Sequence, residues 1–143
     1  MKKTFTITLI AIIAVIIFIT LWSKPSVKPE PNSSSSQEQL PKIVSTKPDP
    51  LENAIIGANE IIEISFNRPL ENVGEFKSRL EPKIDYKVEL SPDRKTARII
   101  PNKPYELGAS FTIFIGPDTK FDGVGAWGQE KIYHFKTIKY TGV

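Results

Sequence analysis

This sequence predicts an all-β fold, an antiparallel β-sandwich of about seven strands preceded by one N-terminal transmembrane helix, and three observations carry that prediction. Thr4 to Ser23 is a run of twenty residues with no charge, no proline and no glycine. A proline- and serine-rich tract follows it to about Pro41. From there on, apolar residues recur at every second position in runs about ten residues apart, with proline and glycine between them. That is the period of short strands rather than helices.

A helix from Thr4 to Ser23 spans roughly 30 Å at about 1.5 Å per residue, the thickness of a bilayer's hydrocarbon core. Lys2 and Lys3 ahead of it suit an export signal. A cleavable signal has an apolar region of about 7 to 15 residues that ends at small residues. Here the run continues to Trp22, and Leu21-Trp22-Ser23-Lys24-Pro25 offers no such cleavage site. The stretch 4–23 therefore reads as a signal anchor, with the Trp22 ring at headgroup depth. A secreted protein cleaved after this stretch is the alternative. Lys24 and Lys28 match Lys2 and Lys3 in number, so the bias of basic residues toward the cytoplasmic side decides little. The likeness to export signals sets the expected orientation: residues 1–3 cytoplasmic, one pass through the cell membrane, and an extracytoplasmic C-terminal domain.

Residues 24–41 form a linker. Pro25, Pro29, Pro31 and Pro41 favour extended backbone, the four serines Ser33 to Ser36 favour coil, and nothing apolar is available to bury. Such a tract spans on the order of 25 Å as coil and nearer 60 Å when extended, enough to stand a domain off a membrane. Asn32-Ser33-Ser34 matches the glycosylation sequon, though an unmodified spacer is the simpler reading.

The domain proper is expected over 42–140. Lys42 to Thr46 is a short apolar start before Pro48 and Pro50. In Glu60 to Phe66, Ile62, Ile64 and Phe66 share one face. Glu71 to Leu80 has Val73, Phe76 and Leu80 at helical spacing, and a helical turn or a short strand both fit. Lys83 to Leu90 sets Ile84, Tyr86, Val88 and Leu90 against Asp85, Lys87 and Glu89. Ser91-Pro92-Asp93-Arg94 is a turn that leads into Thr96 to Pro101, where Ala97 and Ile99 pair on one side. Phe111, Ile113 and Ile115 line the next strand, and Ile132 to Ile138 closes the chain with Tyr133 and Phe135 together.

Composition excludes several function classes. The chain has no cysteine and one histidine, which removes disulfide frameworks, thiol nucleophiles, cysteine metal sites, a lipid-modified cysteine and histidine clusters. Four lysines and two glutamates precede Pro41, leaving 15 basic and 14 acidic residues of the 19 and 16 in the chain, so the domain is nearly neutral. It has no basic stripe for nucleic acid.

Three motifs resemble one family, the bacterial Ig-like domains of the S-layer-protein (SbsA) type. The first is Ile62-Glu63-Ile64-Ser65-Phe66-Asn67-Arg68-Pro69-Leu70. The second is Pro101, Tyr105, Gly108 and Phe111 in order, and the third is Asp122 and Gly125 before Tyr133-His134-Phe135-Lys136-Thr137. The resemblance covers roughly Lys42 to Thr137 and implies an Ig-like antiparallel β-sandwich on a bacterial surface or secreted protein. Two positions depart from the family: Phe111 stands where tyrosine is frequent, removing a hydroxyl from the corner, and Ala126 replaces a frequent asparagine.

No catalytic, cofactor-binding or metal-binding residue is expected. His134 should be exposed and alone. Asp118, Asp122 and Gly123, with Gly125, offer some oxygens for calcium, but without the spacing of a calcium loop; an Asp-Gly turn explains them. Phe114 should point outward, with Phe121 and Trp127 in a nearby glycine-rich loop. Exposed aromatics of this kind can mark an interaction surface for a protein or glycan, while folding back over one end of the sandwich is the simpler reading. The functional expectation is a non-catalytic, membrane-tethered module with a structural, adhesive or protein-interaction role at the cell envelope. Its partners would be the lipid bilayer, through the N-terminal helix, and an unknown envelope protein or glycan, with no nucleic acid. An accessory subunit of an envelope enzyme or secretion complex is the alternative.

Overall fold

Alternation that buries every second side chain needs two faces to meet, and the molecule supplies them as two sheets. The structure, a computed structural model, describes residues 40–140. The expected anchor at 4–23, the sequon at Asn32 and the linker up to residue 39 lie outside the described residues. Among the described residues no helix is long and apolar enough to cross a membrane.

The strands in chain order are β1 (Ile43–Lys47), β2 (Ala54–Ile56), β3 (Ile62–Phe66), β4 (Ser78–Glu81), β5 (Tyr86–Leu90), β6 (Thr96–Pro101), β7 (Ser110–Ile115), β8 (Lys120–Phe121), β9 (Gly125–Ala126) and β10 (Lys131–Thr137). One sheet has the order β1-β3-β6-β5, the other β2-β10-β7-β4, and β8 and β9 make a small hairpin of their own. The pairings are antiparallel except that of β2 with β10, which is parallel.

The inward positions are those the period of two selects. Ile62 pairs with Ile99 and Ile64 with Ala97 in the first sheet, while Phe111 pairs with Phe135 and Ile113 with Tyr133 in the second. All of these side chains are buried, and they form one core with Leu51, Ile56, Leu70, Phe76, Leu80, Tyr105 and Phe121. Each fully buried large side chain contributes roughly 1.5–3 kcal/mol by leaving water, which is what holds the two sheets face to face. On the opposite surface of the first sheet, Glu63 lies across from Arg98, and Arg98 across from Glu89, so the outer face is a row of alternating charge.

Glu71 to Leu80 uses both of its expected forms. A 3-10 turn, Val73–Glu75, is capped by the Asn72 side chain, which accepts from Gly74 N at 2.9 Å, and β4 follows. The strands β2, β8 and β9 are additions to the sequence reading. They are two or three residues long, too short to show a period.

Candidate functional site

The three aromatics weighed as an interaction surface or as a cover over one end of the sandwich occupy three different environments. Phe121 is 1% exposed and belongs to the core, because β8 turns it inward beside Leu70, with which it forms an isolated β-bridge. Trp127 is half-buried and packs edge-on against Phe66 and Phe121, with ring centroids 5.9 and 6.2 Å away. Its indole Nε1 donates to Pro41 O at 2.9 Å, so the ring also holds the chain where it enters the domain. Phe114 alone faces outward, under the Arg79 guanidinium at 3.5 Å from the ring centroid. Phe121 and Trp127 thus fold back and close the end of the sandwich around Phe66 and Phe76, and Phe114 stands apart on the second sheet.

Polar groups reinforce that closed end. Asn67 receives Lys42 N on its Oδ1 at 2.8 Å and donates from Nδ2 to Leu40 O at 2.9 Å, tying the start of β1 to the end of β3. Arg94, with a positive φ of 58°, projects its guanidinium across the end. It donates to Leu70 O, Glu71 O and Asp122 Oδ2 at 3.1, 2.7 and 2.6 Å. The Asp122 carboxylate is therefore engaged with a cation on the protein. Among the described residues no three His, Cys, Asp or Glu side chains are grouped to hold a metal ion.

His134 is exposed, as its alternation requires, but it has a partner that sequence reasoning missed. Glu52 accepts from His134 N at 2.8 Å and lies 3.0 Å from its Nδ1. The backbone donation, followed by the ring contact, holds the Glu52 carboxyl below its usual range. Together with Asn53 N donating to His134 O at 2.6 Å, this fastens the β1–β2 connection to β10. No spacing rule links positions 82 residues apart, so only the fold could reveal the pair. Beside it a groove of about 480 Å³ runs over Asn53, Ile55, Thr112, His134 and Lys136, with Ile55 70% exposed.

At the other end, Tyr105 is 2% exposed against Phe111 and Phe135, with centroids 5.2 and 5.7 Å away. Its hydroxyl has no hydrogen-bond partner among the described residues. Burial, with Glu60 adding to it, pushes its pKa up to about 12. The corner hydroxyl absent from Phe111 has a replacement in the buried Thr137, whose Oγ1 donates to Glu106 O and accepts from Ala109 N at 3.0 Å.

No protein-family model matches the chain, and no curated protein does. Among solved structures, it is similar to L,D-transpeptidase 3 from Mycobacterium tuberculosis, at 14% identity over 67% of this chain and 37% of that one, with a TM-score of 0.45. It is also similar to an L,D-transpeptidase from Mycobacterium smegmatis, at 13% identity over 68% and 40%, with a TM-score of 0.49. A third similarity is to PcoC, a methionine-rich copper resistance protein from Escherichia coli, at 20% identity over 68% and 98%, with a TM-score of 0.49. The chain thus spans well under half the length of these transpeptidases.

Proposed function

We propose that this protein is a membrane-tethered, extracytoplasmic Ig-like module of the SbsA type, with a non-catalytic structural or protein-interaction role at the cell envelope. The observation that carries the Ig-like part of the reading is the strand order, while the tether and the envelope placement rest on the sequence of residues 1–41. Lettering β1, β3, β4, β5, β6, β7 and β10 as A to G turns the two sheets into A-B-E-D and G-F-C, the order of constant-type immunoglobulin domains, with β2 added beside G. The charged side chains support a structural role for the polar groups. Glu52, Glu75, Glu89 and Asp122 each engage a basic partner: His134, Lys120 with Lys77, Lys87, and Arg94 respectively. The chain enters at the Trp127 end and leaves past Ile138, beside Ile56 and Gly108 at the opposite end.

The test is to replace Thr4 to Ser23 with an unrelated membrane anchor. A module that is only tethered keeps its cellular phenotype. Loss of the phenotype with the domain still folded and displayed would contradict the reading and make the helix itself a contact surface.

A further inference from the structure

The two sheets of this sandwich are open, so each has edges, and an open edge is a row of backbone donors and acceptors that invites another strand. Three of the four edges are blocked. The strand β1 carries a register shift between Ile43 and Ser45, an irregularity that spoils edge pairing. At the neighbouring edge β2 is three residues long. In β4 the carbonyl of Ser78 already accepts from the Tyr86 hydroxyl at 2.6 Å, and Pro82, with no N–H, stands directly after the strand.

The fourth edge, β5, has none of these defences. Apart from β6, the 3-10 turn Val73–Glu75 packs close to it, and that turn forms no hydrogen bond with it among the described residues. It is five residues long and pairs with β6 in an unbroken register. Ser91 N donates to Thr96 O and Asn102 N donates to Asp85 O, which assigns the odd-numbered residues to β6. The N–H and C=O groups of Tyr86, Val88 and Leu90 consequently point away from the sheet. Among the described residues these backbone groups meet no hydrogen-bonding partner. The same three side chains face inward but are only half-buried.

Lys87 and Glu89, on the outer face, lie one on each side of Val88 and pair with each other within the chain at 2.8 Å, a pair that a second copy would exchange for two pairs between chains. A second copy of β5 laid antiparallel about Val88 puts Val88 opposite Val88, Tyr86 opposite Leu90, and Lys87 opposite Glu89 twice over. The pairs with outward backbone groups become the hydrogen-bonded ones, and the charged pairs become the close, non-hydrogen-bonded ones where cross-strand side chains interact most. The charges also fit in the other direction. Glu63, Arg98 and Glu89 already alternate across the sheet, and the partner's Lys87 continues that row with the right sign. Charges on an edge commonly repel a neighbour; this Lys-x-Glu pattern attracts a two-fold copy of itself.

We propose that β5 is a self-association edge, through which two copies of this chain join their first sheets into one continuous eight-stranded sheet. The two-fold axis passes beside Val88. A five-residue edge is a small interface, so the dimer is weak and concentration-dependent.

Sedimentation equilibrium of the full chain in detergent, over a concentration series, reads the dimer directly. Lys87→Glu places like charges opposite each other twice and should raise the dimer dissociation constant about tenfold, as should Glu89→Lys. The double variant Lys87→Glu/Glu89→Lys restores complementarity and should dimerise like the original chain. Lys87→Glu mixed with Glu89→Lys should form a heterodimer that neither forms alone. Val88→Pro removes an edge N–H that β6 does not use, so the fold should persist, checked by circular dichroism, while dimerisation is lost. A full chain that stays monomeric at every concentration would overturn the proposal. So would a dimer fraction that the single charge variants and Val88→Pro leave unchanged.

Discussion

Replacing Trp127 by alanine removes the indole from a half-buried site between Phe66 and Phe121 and breaks its bond to Pro41 O. Full deletion of a buried aromatic costs about 3–5 kcal/mol; with half of this ring in water, the packing loss is about 1–2 kcal/mol. The lost hydrogen bond adds about 1 kcal/mol, for a sum near 2–3 kcal/mol. In a domain of this size each kcal/mol moves the melting temperature by roughly 4–8 °C, so the expected fall is about 10–20 °C. Trp127→Phe separates the two contributions: it keeps most of the ring contact, loses the N–H donor, and should cost about 1 kcal/mol. Thermal melts of residues 40–143 followed by far-UV circular dichroism measure both. A fall of less than about 3 °C for Trp127→Ala would refute the packing argument and return Trp127 to the surface as a contact residue.

Two more perturbations test the polar groups. Tyr105→Phe removes a buried hydroxyl without a partner and should leave stability unchanged or raise it by up to about 1 kcal/mol in urea unfolding. The Tyr105 phenol is raised from 10.0 to about 12, so the original chain should lose stability as pH rises from 10 toward 12, more steeply than the phenylalanine variant. The carboxyl of Glu52 is lowered from 4.5, so its contribution is present above that value and is lost as pH falls through the depressed one. Glu52→Gln should therefore reduce stability at neutral pH and flatten the acid limb of the stability profile; equal slopes in the two proteins would count against the His134 pairing.

Much of the sandwich was legible in the sequence because alternation is a local signal. Ile62-Glu63-Ile64-Ser65-Phe66 declares its buried face within one strand, and the structure pairs that face as the period requires. The candidate surface was not legible in the same way. Whether Phe121 and Trp127 face water depends on how the loop over 116–130 folds back, and glycines at 123, 125 and 128, each with positive φ, set that path without any side-chain pattern. The parallel strand β2 is equally silent, since three residues beside β10 are chosen by the register of a distant strand. Long-range polar ties, such as Glu52 to His134 and Arg94 to Asp122, join segments that sequence spacing cannot relate. The β5 edge lies between these cases. Its Lys-x-Glu alternation is written in the sequence, but only the pairing with β6 shows which backbone groups remain open.

Limited proteolysis of intact cells tests the proposed placement of the domain outside the membrane. Protease added from outside, followed by detection of a C-terminal tag, should remove the domain while a cytoplasmic marker survives. Protection of the tag until the membrane is broken would contradict the extracytoplasmic placement.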